Sequence, residues 1–193
     1  MFEKILTFTR KRHVAGLKCA FTGHRPQNLP FRFDETDGRC LRLKAELRKL
    51  IVQMIEQKNV THFISGMALG IDTYTAEIVL DLKSQFPFIT LECAIPCETQ
   101  AAKWSERYRN RYFAIVERCD KETLLQTHYT PDCMKKRNRY MVEHYYTCSM
   151  VMNHASYASK YDSNTSFDKY SYGPKTSVYG GLINTKIQFL RKY

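Results

Sequence analysis

Two rhythms of apolar residues alternate along this chain. From about Arg39 to Lys58, Leu43, Leu47, Leu50, Ile51, Met54 and Ile55 recur every three or four positions, the spacing of a helix with one buried face. A second helix is predicted from about Ile71 to Lys83, with Ala76, Val79, Leu80 and Leu82 available for packing. Further helices are expected near 100–118 and over 131–145, the latter with proline near its start and a stripe through Met134, Met141 and Val142. Between them lie short strand-like runs: "LKCAFT" (17–22), "THFIS" (61–65), "FITLECAI" (88–95), "ETLLQT" (122–127) and "TCSMVM" (147–152).

Strands alternating with helices predict βαβ units and a mainly parallel sheet, an α/β architecture in which ligands sit beyond the carboxyl ends of the strands. The pattern breaks after residue 145. Seven of the thirteen tyrosines fall between 145 and 179, and "ASYASKYDSNTSFDKYSYGPKTS" follows neither rhythm, so it reads as a polar insertion over about 153–179. The last segment, "GGLINTKIQFLRKY", reads as a glycine turn and a short terminal helix.

Composition narrows the class. The 193 residues suit one domain, with residues 1–16 as an N-terminal extension, and 44% hydrophobic with 25% charged residues is ordinary for a folded protein. No apolar run reaches the roughly 20 residues that span a bilayer. The N-terminal basic cluster follows its apolar stretch instead of preceding it, unlike a signal peptide. A cytoplasmic protein without membrane partners is the expectation. Seven scattered cysteines, with only one C-x3-C pair (Cys93, Cys97), suggest buried reduced thiols and no metal site. Thirty Lys+Arg against nineteen Asp+Glu give a net charge of +11, which favours an anionic partner without choosing among nucleotide, nucleic acid and acidic lipid.

Candidate chemistry gathers at the predicted strand ends. "CAFTGHRP" offers the Thr22 hydroxyl, close approach at Gly23, the His24 imidazole and the forked Arg25 donor, or else a tight turn with Arg25 in a salt bridge. "SGMALGID" sets Gly66 and Gly70 before a helix start, where backbone N–H groups attract phosphate; Asp72 would cap the helix or accept from ribose hydroxyls. The spacing is neither G-x-G-x-x-G nor a P-loop. After the third strand come Glu98 and Trp104, the only tryptophan, which packs its helix or stacks on a base; Arg107 and Arg111 share a face suited to one anion. Arg137 and Asn138 lie early in the last long helix, on a solvated basic face or reaching into the cleft.

Taken in order, "CAFTGHRP", "ISGMALGIDTYTAEIVLDLK", "AIPCETQAAKW" and "CMKKRNRYMVEH" resemble the YpsA-like family of the SLOG superfamily, which also holds DNA-processing protein A and the Lonely Guy phosphoribohydrolases. The resemblance covers about residues 17–144. It implies a Rossmann-like three-layer α/β/α fold and a nucleotide or nucleotide-derived ligand, such as NAD or ADP-ribose, with links to bacterial cell division and prophage-borne genes. Gly23, His24 and Arg25 match the first-strand turn, Gly66, Gly70 and Asp72 the central glycine motif, Glu98 and Trp104 the third-strand segment, and Arg137 and Asn138 the basic helix.

Beyond these, "GGLINT" keeps Gly180, Gly181, Asn184 and Thr185 of a phosphate loop, with Leu182 in place of a threonine. The family's final strand is not expected here, unless a partner subunit of a homo-oligomer supplies it. The Lonely Guy glutamate corresponds to Ile187, which cannot act as acid or base, so whether the chain is an enzyme stays open. The leading expectation is a nucleotide-binding or nucleotide-sensing protein. Alternatives are a nucleotide or nucleoside hydrolase using Glu98 or Asp72 with His24, a single-stranded DNA binder, and a degraded prophage remnant.

Overall fold

The computed structural model describes residues 16–144, 148–154, 176–179 and 185–190. Seven strands and four α-helices follow one another: β1 (Leu17–Gly23), α1 (Gly38–Lys58), β2 (Val60–Ser65), α2 (Ile71–Leu82), β3 (Thr90–Ile95), α3 (Glu106–Arg118), β4 (Lys121–Leu124), α4 (Cys133–His144), β5 (Cys148–His154), β6 (Thr176–Tyr179) and β7 (Thr185–Leu190). They form one sheet in the order β4-β3-β2-β1-β5-β7-β6. The pairs β1–β2, β1–β5, β2–β3 and β3–β4 are parallel, and β5–β7 and β6–β7 are antiparallel. This is the expected Rossmann-like, mainly parallel α/β arrangement.

Alternation along the strands sorts the core. Cys19, Phe21, Phe63, Leu91, Cys93 and Ile95 pack with α1, α2 and α3 on one face. Ala20, Ile64 and Ala94 point to the other face, where Met141 of α4 covers them. The chain thus steps outward from β1 to β4 with its helices on one side, then returns over the opposite side through α4 to β5. Right-handed crossovers require the change of side once the direction of travel reverses. The reversal lies beside β1, at the kind of switch point where α/β sheets open a crevice.

Local chemistry sets the helix ends. Asp37 caps α1 by accepting from Arg39 N at 2.7 Å, and Asn59 ends it in the left-handed region, φ 54°. All six stripe residues predicted for α1 are buried. Helix α2 is buried nearly all round, because it sits against the sheet between α1 and α3. Phe21 and Phe63 stack across β1 and β2 with centroids 5.6 Å apart.

The carboxyl-terminal expectation needs correction. Thr185–Leu190 is a strand, not a terminal helix, and it pairs antiparallel with β5 from Ser149↔Leu190 to His154↔Thr185. The strict alternation of "TKIQF" was the available signal, since period two belongs to strands. Residues 176–179 of the polar insertion also form a strand, β6. The rest of that insertion from 155 to 175, the N-terminal extension to residue 15, and Gly180, Gly181, Leu182 and Asn184 lie outside the described residues.

Candidate functional site

Four loops meet at the carboxyl ends of β1 to β4, and they enclose a cleft of about 530 Å³. Arg25 and Gln27 come from the loop after β1, Ala68 and Leu69 from that after β2, and Cys97, Thr99, Gln100, Ala102, Lys103 and Trp104 from that after β3. Tyr129 follows β4 and Met134 belongs to α4. Arg25 and Lys103 are exposed cations, and no carboxylate is among these lining residues. Trp104 is half-buried, edge-on to Tyr112 with centroids 5.5 Å apart. Packing and cleft lining are thus both roles of the single tryptophan.

The glycines serve the chain's own close approach. Gly70 has φ +95°, and a Cβ there would lie 2.5 Å from the His24 carbonyl oxygen. That carbonyl accepts from Ile71 N at 3.3 Å, tying the first loop to the start of α2. A Cβ on Gly23 would lie 2.6 Å from Ile71 Cβ, and one on Gly66 would fall on the Arg137 guanidinium. Met67, fully buried, takes φ +56° between them. Thr22 is half-buried at the end of β1.

Beneath this loop lies a buried ion pair. Arg137 reaches from α4 to donate through Nη1 to the Gly66 carbonyl and sits 3.3 Å from Asp72 Oδ2. Its Nε donates to Asn138 Oδ1 at 2.9 Å. Asp72 accepts from Ala68 N at 3.4 Å, and its side chain does not cap α2, whose N-cap is Gly70. Burial raises the Asp72 carboxyl above its ordinary range, with Arg137 and Arg25 pulling the other way. Burial lowers the Arg137 guanidinium, Asp72 opposes that, and Arg25 adds repulsion. Arg137 and Asp72 therefore brace the glycine loop from below, while Arg25 stands above it at the cleft.

Other sequence-selected residues sit apart. Glu98 is exposed and its backbone N–H donates to Thr127 O; its side chain is not among those lining the cleft. Arg111 is taken up by Glu35 and Glu77, the latter at 2.5 Å on two atoms, and its guanidinium lies over Tyr74. The expected anion pair of Arg107 and Arg111 is thus divided, with Arg107 against the Tyr108 ring. Cys19, Cys40, Cys93, Cys97, Cys119 and Cys133 are free thiols, and no group of metal-ligating side chains occurs among the described residues.

Gln100, Lys103 and Tyr129 escaped the sequence reading. Gln100 and Lys103 stand in "ETQAAKW", between the Glu98 and Trp104 that were selected, so position after a strand was the signal. Also missed was a cluster on the α4 side of the sheet. There Glu92 accepts from His62 Nε2 (2.8 Å), Thr123 Oγ1 (2.7 Å), Lys121 Nζ (3.1 Å) and the Tyr140 hydroxyl (2.5 Å).

Residues 19–175 match the YpsA family model, described as the YspA SLOG family. The chain belongs to this SLOG family. Among relatives, the UPF0398 protein of Bacillus pumilus (strain SAFR-032) is 31% identical over 126 residues, covering 64% of this chain and 67% of its own. That of Lactobacillus acidophilus is 26% identical over 147 residues, 74% and 77% of the two chains. In this SLOG chain no helix among the described residues is long and apolar enough to cross a membrane.

Proposed function

We propose that this SLOG protein binds a nucleotide or nucleotide-derived ligand in the strand-end cleft. One observation carries the reading: two cations, Arg25 and Lys103, share a concave site with two aromatic side chains, Trp104 and Tyr129. A phosphate needs the first pair and a nucleobase the second. Arg25 holds the phosphate, Trp104 and Tyr129 flank the base, and the braced glycine loop forms the floor. Asp72 is assigned to that brace and not to ribose, because its carboxylate is buried against Arg137.

Binding is favoured over hydrolysis for a related reason. The carboxylates considered as bases stand elsewhere, Glu98 in solvent and Asp72 in the ion pair. The test is a thermal-shift and calorimetric titration with AMP, ADP, ATP, NAD and ADP-ribose, run beside Arg25→Ala and Lys103→Ala. A saturable stabilisation weakened at least about tenfold in Arg25→Ala is expected, since a ligand of the native state alone must raise apparent stability. No stabilisation by any of the five, in a protein that unfolds cooperatively, overturns the reading.

A further inference from the structure

The loop after β3 holds an unmet acceptor on Gln100, a residue that lines the cleft. Gln100 donates through Nε2 to the Met67 carbonyl at 2.7 Å, joining the loops after β2 and β3. A carbonyl oxygen accepts only, so this bond fixes the amide: nitrogen towards Met67, oxygen away from it. That oxygen, Oε1, is buried and has no donor in reach, the single such side-chain atom among the described residues. Buried polar atoms are nearly always paired, and an orphan carries a desolvation cost that some partner ordinarily repays. Gln100 lines the same cleft as Trp104 and Tyr129.

We infer that the ligand supplies the missing donor, and that Gln100 selects nucleobases bearing an exocyclic amino group over their keto counterparts. This rests on the nucleotide reading and adds the identity of the base edge. A base flanked by Trp104 lies beside Gln100, so the donor nearest Oε1 belongs to the ring substituent and not to the sugar. An amino group gives N–H···O; a keto group sets oxygen against oxygen and leaves both unpaired. Oε1 is buried, so the amine reaches it only where the cleft wall at Gln100 yields. Nothing pulls Gln100 from Met67 in the process.

Paired ligands test this on the unmodified protein. Calorimetric titrations compare AMP with IMP, GMP with XMP, and CMP with UMP, each pair exchanging an exocyclic amino group for a keto oxygen. The amino member of at least one pair is expected to bind at least about tenfold tighter, as sites built to pair a substrate N–H reject analogues lacking it. Gln100→Met should then abolish the difference between the amino and keto members. Equal affinity within all three pairs overturns the inference and leaves the nucleotide site standing. Retention of the preference in Gln100→Met also overturns it. If no nucleotide binds at all, the proposed function falls with it. Should Gln100→Met fail to fold, the ligand pairs on the unmodified protein decide.

Discussion

Asp72 and Glu92 are both buried carboxylates that meet a cation, yet the fold moves them in opposite directions. Burial raises each. Around Glu92 the hydrogen bonds from His62, Tyr140, Thr123 and Lys121 outweigh it, and the carboxyl falls well below its ordinary value. Around Asp72 the Arg137 contact and one long backbone bond do not suffice, and the carboxyl rises. Number and closeness of donors decide the sign, not depth. The lesson is about place. On the α4 side of the sheet every oxygen of the cluster is paired, which is the mark of structure. At the strand ends a loosely paired carboxylate, a strained Met67 and an orphaned Gln100 oxygen crowd into neighbouring loops, and such deficits gather where ligands act.

Breaking the brace should cost most. Arg137→Met strands Asp72 without its cation and frees the Gly66 carbonyl, an expected loss of about 3–5 kcal/mol in denaturant unfolding. Adding Asp72→Asn should recover more than half, because the uncompensated charge is then gone; no recovery would mean that Arg137 matters through packing alone. Glu92→Ala is next, at about 3 kcal/mol, as the half-exposed Lys121 head is partly screened by water. Unlike Arg137→Met it should leave nucleotide affinity unchanged, and a joint loss would dissolve the contrast between the two regions.

Gly70→Ala should cost about 2 kcal/mol through its positive φ and the His24 carbonyl, and should weaken binding by distorting the glycine loop. The smallest effect is in pH dependence. Glu92, depressed, contributes stability that is complete above a glutamate's ordinary 4.5 and is lost as pH falls below it. Asp72, raised, tilts the other way: the native state keeps its proton longer, so stability falls as pH rises above an aspartate's ordinary 3.8. Between pH 6 and 3, Glu92→Gln should therefore flatten the acid loss and Asp72→Asn should steepen it. The same sign from both would overturn the assignment of opposite shifts.

Much of this was legible in the order of residues. The stripe through Leu43, Leu47, Leu50, Ile51, Met54 and Ile55 can bury only as one helix face, and the alternation of short apolar runs with helices leaves a parallel sheet as the economical solution. "TKIQF" carried its strand signal too, but the glycine turn before it drew a helical reading. Gly23, Gly66 and Gly70 were singled out by position, and each stands at a close approach of the chain to itself. Their partners were not readable, because Ile71, Arg137 and the His24 carbonyl lie 48, 71 and 46 residues away along the chain. Arg111 shows the same limit: the spacing to Arg107 predicts a shared face, while only the packed helices bring Glu35 and Glu77 to claim it.

Sequence by itself determined which segments up to residue 152 are helix and strand, and which loops lie at the carboxyl ends of the strands. Local period and propensity suffice for those. Tertiary structure decided which charges are spent. It tied Asp72 to Arg137, gave Glu92 four donors, and turned the Gln100 oxygen into an acceptor without a partner. Hydrogen bonding and desolvation act over a few ångströms of space, and no interval along the chain encodes that distance.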